Sequence, residues 1–147
     1  MIKLPMNRPL LLVAIAISVI AVLAACGSKT STTVSTGTPI KVVKVDSLTA
    51  TLSNSTGQLK QGDQEVVLAF ADSAGKPVDV GAVSLNFHMP QMGSMAAMND
   101  AVTFTTTDTP GVYRGKVNIQ VAGEWQGQLA YEGSAGKGKT TFSVTAR

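Results

Sequence analysis

From residue 40 to its C-terminus the chain is patterned with period two. Runs at 48–53, 65–71, 82–88, 101–107, 112–117, 123–131 and 139–144, with a lead-in at 42–45, alternate apolar and polar side chains, and turn residues cut them at roughly ten-residue intervals. In residues 82–88, for example, Val83, Leu85 and Phe87 fall on one face, opposite Ser84, Asn86 and His88. The breaks are rich in turn formers: Asn54-Ser55-Thr56-Gly57, Gly62-Asp63, Asp72 through Pro77, and Asp108-Thr109-Pro110-Gly111. No apolar pattern of helical period occurs after residue 25. Strands of this kind must bury one face, and antiparallel neighbours joined by short turns do so by stacking two sheets. The expectation is therefore an all-β fold, an immunoglobulin-like antiparallel sandwich of about seven strands over residues 40–147, with the lone Trp125 in or near its core. A small barrel is the alternative. The low charge content of 14% and the abundance of Thr, Ser, Gly and Val fit a β-rich domain of secreted type.

The first 25 residues do not belong to that domain. Lys3 and Arg8 form a positive start, and residues 10–25 are an apolar run, too short for a membrane span and suited to a signal peptide. The run closes on Leu23-Ala24-Ala25-Cys26-Gly27, which resembles a bacterial lipobox. Processing of that kind cuts before Cys26 and lipidates it; an ordinary signal peptide or an uncleaved anchor is the alternative. Cys26 is the one cysteine, so the mature domain contains neither a disulfide nor a cysteine nucleophile. Residues 26–39 then read as a lipidated cysteine followed by a Ser/Thr-rich tether that gives the domain reach from the lipid surface. The protein is expected to be extracytoplasmic and membrane-anchored, periplasmic or on the cell surface. Gly27 in place of an aspartate permits outer-membrane sorting. Without Lys3 and Arg8, twelve basic residues become ten against nine acidic, a formal +1 with no basic run, so nucleic-acid binding has no electrostatic footprint.

Chemistry concentrates in one stretch. Four of the six methionines, Met89, Met92, Met95 and Met98, follow one another at intervals of three, directly after the only histidine, His88. Thioethers are soft donors that suit Cu(I), and imidazole serves copper in either oxidation state. Methionine also fills irregular core gaps, so packing competes with ligation at every position. Pro90 and Gly93 should interrupt regular structure and leave residues 89–98 as a loop at one end of the sandwich, where binding groups are commonly carried. A helical turn near residues 95–100 would bring side chains three apart onto one face. The candidate copper ligands are thus His88, Met89, Met92, Met95 and Met98, with the Trp125 indole a further contact for a cation. Asp100 and Glu124 read as solvated charges. With one imidazole, no clustered carboxylates and no nucleophile or phosphate-loop motif, an enzyme is not expected. The alternative to metal binding is an interaction module whose Met-rich loop docks on a membrane-protein partner.

The segment His88-Met89-Pro90-Gln91-Met92-Gly93, followed by Gly111-Val112-Tyr113-Arg114-Gly115 and Gly123-Glu124-Trp125, resembles the YtkA-like/FixH family over most of residues 45–145. The resemblance implies a small extracytoplasmic β-sandwich. It also implies association with copper handling, oxidase assembly or metal efflux. Many members carry a histidine after Met-Pro-x-Met-Gly; Ser94 occupies that place here and leaves Met95 and Met98 as softer replacements.

Overall fold

The computed structural model describes residues 37–147. The signal segment, Cys26 and residues 27–36 lie outside them. Nine strands follow one another: β1 (Thr38–Val45), β2 (Leu48–Asn54), β3 (Gly62–Ala71), β4 (Ala82–Met89), β5 (Met98–Ala101), β6 (Thr103–Thr106), β7 (Val112–Ile119), β8 (Gly123–Gly133) and β9 (Gly136–Ala146). They form two antiparallel sheets, one in the order β1-β2-β3-β7-β6 and the other β5-β4-β8-β9. Alternation decides which side chains go between them. Leu85 and Phe87 of β4, Trp125, Leu129 and Tyr131 of β8, and Val66, Leu68 and Phe70 of β3 are all buried, while their sequence neighbours face out. The expected sandwich is present, with β1 opening at Thr38, two residues inside the stretch assigned to the tether.

Nine strands rather than about seven arise chiefly at one place. The alternating run at 101–107 does not form one strand. The Val102 N–H donates to the Leu85 carbonyl at 2.9 Å, and the chain then crosses to the other sheet, where Phe104 pairs with Gly115. Both Val102 and Phe104 point inward on either side of the crossing, so the apolar period continues while the hydrogen-bonding partner changes. Asp100 corrects the sequence reading as well. It is buried rather than solvated, and its carboxylate accepts from the Gln120 backbone N–H at 3.0 Å and the Gln120 Nε2 at 2.6 Å. That pair ties the start of the crossing to the β7–β8 turn.

The two ends of the sandwich differ. One end collects the 55–61 connection, the β4–β5 hairpin and the β7–β8 turn. Gly37 and Arg147 also lie there: Thr38 pairs with Asn54, Ala146 with Gly123, and the Gln61 N–H donates to the Arg147 carbonyl at 3.0 Å. The other end holds the turn at Asp46, the 72–81 connection, the 107–111 turn and the β8–β9 turn. Tyr113 closes the core near it, its hydroxyl donating to Asp79 at 3.1 Å and its ring edge-on to Phe70 at 6.1 Å.

Candidate metal centre

Residues 90–97 form the loop expected at one end of the sandwich, closed as a β-hairpin between β4 and β5 and without a helical turn. β4 and β5 pair His88 with Asn99 and Met89 with Met98. Three residues nearer the tip than Met89 and Met98, Met92 and Met95 pair again, exchanging N–H···O bonds of 3.2 and 3.0 Å. The position numbers of each pair have the same sum, but the ladder is interrupted between them: residues 90–91 and 96–97 lie outside the strands, around Pro90, which has no N–H to give, and Met92–Met95 is an isolated bridge beyond the gap. Gly93 and Ser94 form the turn. Gly93 has φ +57 and Ser94 is not in the left-handed region, the pattern of a type II′ turn with glycine at its first central position.

The donors fall into two sets. His88, Pro90 and Met92 lie together on the outer surface beside Glu124, Gln126 and Ser143, with Asn99 opposite His88 and Met95 opposite Met92, whereas Met89 and Met98 face the core. Met89 is 2% exposed and packs in the core, its methyl carbon close against Gly123. Met98 is half-buried against the same core. Met92 and Met95 are 52% and 45% exposed, side by side on the outer face. His88, Pro90 and Met92 line one shallow hollow of about 440 Å³, completed by Glu124, Trp125, Gln126 and Ser143. The structure therefore brings His88, Met92 and Met95 to one surface and turns Met89 and Met98 away from it. Five donors at one point are not available.

The orientation of His88 is fixed by a residue that the sequence reading did not single out. Nδ1 of His88 lies 2.9 Å from Oδ1 of Asn99, which also accepts from Nδ2 of Asn86 at 3.2 Å. A carboxamide oxygen only accepts, so Nδ1 carries the proton and the Nε2 lone pair is left free. Metal-binding histidines are commonly held in this way, by a hydrogen bond to the ring nitrogen that does not ligate. The signal for Asn99 was its place opposite His88, which becomes legible only once the two-residue turn at Gly93-Ser94 sets the register. Trp125 is buried, with Nε1 donating to the Val121 carbonyl at 3.1 Å, and the residue borders the hollow between the outward-facing Glu124 and Gln126. Among the described residues no three His, Cys, Asp or Glu side chains cluster as a metal site; this face carries the imidazole and the two thioethers, with the harder Glu124 carboxylate in the same hollow.

The motif glycines and aromatics that carry the resemblance are structural. Tyr113 and Trp125 are buried, and Gly111 lies where its Cα faces the Val78 backbone. A family model described as YtkA-like matches residues 43–130, from β1 into β8. No curated protein and no solved structure matches the chain. The matched segment contains the whole Met hairpin, both buried aromatics and most of each sheet, and on that basis the chain belongs to the YtkA-like family.

Proposed function

We propose that this is an extracytoplasmic copper-binding domain of the chaperone type, anchored through a lipidated Cys26, that holds Cu(I) at the outer face of the β4–β5 hairpin. The observation that carries the reading is the shared face: the free Nε2 of His88, the thioether of Met92 and, across the hairpin, the thioether of Met95. One imidazole and two thioethers form a neutral, soft donor set, which favours Cu(I) over Zn, Mg or Ca. The face is open to solvent, so a bound ion can leave by exchange with another soft donor; that suits transfer more than storage. Met89 and Met98 support the hairpin from below and take no part in ligation.

The test is a titration of residues 27–147, which contain every described strand, with Cu(I) against a competing chromogenic chelator. Binding of one ion that is lost when Met92 and Met95 are both changed to Leu, and retained when Met89 and Met98 are, is the expected result. Loss in the inner pair alone, with both proteins folded, would refute the assignment of ligands. No binding by the unaltered domain would refute the metal reading and favour the second one, in which the exposed Met92–Met95 pair is an adaptable docking surface for a membrane protein.

A further inference from the structure

We infer that the end of the sandwich bearing the β4–β5 hairpin faces the membrane, and that the hairpin tip rests against the lipid surface itself. The inference uses the anchor at Cys26 but not the metal reading. β1 begins at the hairpin end and runs away from it, so the chain enters the domain on the same end as Met92 and Met95. Eleven residues separate Cys26 from Thr38. Fully extended they span at most about 40 Å. The longest strands, β8 and β9, have 11 residues each and extend about 35 Å. An inverted domain would therefore need this segment stretched along almost the whole sandwich, with most of its conformational freedom lost. With the hairpin end down, no stretching is needed.

The chemistry of the two ends points the same way. Five of the nine acidic residues, Asp46, Asp72, Asp79, Asp108 and Glu132, stand at the end away from the hairpin; with Lys44, Lys76 and Lys137 beside them, five negative and three positive charges leave that end at a formal −2. From residue 89 through residue 99 there is no charged side chain. At the tip, Pro90, Met92, Met95, Ala96 and Ala97 are exposed. Lys60 and Arg147 stand at the same end, beside the exposed carboxylates Asp63 and Glu124. An anionic lipid surface accepts an uncharged apolar tip and modestly disfavours an end of net negative charge. Because the tether holds the domain at high local concentration, the tip contact itself can be weak.

The full acylated chain in vesicles of phosphatidylethanolamine and phosphatidylglycerol tests this. With Cys26 blocked by lipid, S94C at the tip and S134C in the β8–β9 turn each accept one fluorophore. Quenching by spin-labelled lipids is expected to be several-fold stronger at position 94, and to fall when Met92 and Met95 are both changed to Gln. Equal or stronger quenching at position 134 would overturn the orientation, as would a chain not acylated at Cys26. Quenching at position 94 in native membranes but not in pure-lipid vesicles would overturn the lipid surface as the occupant and put a membrane protein in its place. Failure of Cu(I) binding leaves these outcomes unchanged, so the two readings fail separately.

Discussion

Truncating Met89 and Met92 to alanine in turn separates the two sets of methionines by their energetics. Met89→Ala removes three heavy atoms from a side chain that is 2% exposed. At about 0.8 kcal/mol for each methylene-sized group the transfer loss alone is about 2.4 kcal/mol. The methyl carbon of Met89 lies against the Gly123 backbone, and the turn there is held by the Asp100–Gln120 hydrogen bonds, so the site cannot collapse freely. A residual cavity brings the cost to about 3 kcal/mol, within the range for buried large-to-small changes. For a domain of this size that lowers Tm by between about 10 and 25 °C. Met92→Ala, at 52% exposure, should change stability by less than about 0.5 kcal/mol. Met98→Ala should fall between them. Urea unfolding followed by Trp125 fluorescence measures all three. A loss above about 1.5 kcal/mol for Met92→Ala, or below about 1 kcal/mol for Met89→Ala, would refute the division into inner and outer donors.

Two further outcomes follow from the opposite end of the sandwich. Gly111 has φ +78 and its Cβ would run into the Val78 backbone, whereas Gly75 at φ +79 has open space around it. Gly75→Ala should cost about 1 kcal/mol for the left-handed backbone alone, and Gly111→Ala at least about 2 kcal/mol more, compared by denaturant unfolding; equal costs would show that the collision is relieved. Tyr113 and Tyr131 are both held above the ordinary phenol value of 10.0, by burial first, then by the hydrogen bond to Asp79 for Tyr113 and the charge of Asp46 for Tyr131. The unfolded chain loses these protons first, so stability that is complete below about pH 10 should decline as pH rises through the folded values. Tyrosinate absorbance should titrate at higher pH in buffer than in denaturant, and coincident curves would contradict it.

The alternation of apolar residues made most of this fold legible, because a half-buried strand leaves a mark at every second residue. It gave the inward face of β4 directly, and it placed Trp125 of β8 in the core. It could not show the crossing at Val102, where the side chain stays inward and only the partner of the backbone changes. The Met segment reads as a loop, as residues 90–97 are, but its closure as a hairpin was not legible for a related reason. Pro90 and Gly93 signalled an interruption, yet Gly93 is the residue a type II′ turn requires and Pro90 sits where its missing N–H is tolerated. With the hairpin recognised, positions 89 and 98 belong to one face and 88, 92, 95 and 99 to the other, which spacing by threes alone does not reveal. Asp100 looked solvated because its partner, Gln120, is twenty residues away and meets it only through the stacking of the sheets.

The crossing at Val102 also governs how this molecule meets others of its kind. By splitting one run between two sheets, it leaves β5 and β6 as edges of only four residues each. A short edge offers a passing strand too few unpaired amides for stable addition. On the other side, the end of β9 is covered where Arg147 N–H donates to the Leu59 carbonyl at 3.0 Å. A protein so rich in strand would otherwise carry long free borders able to template aggregation. Here two of the four borders are cut short and the end of a third is occupied by the chain itself, which leaves β1 and the rest of β9 as the long edges.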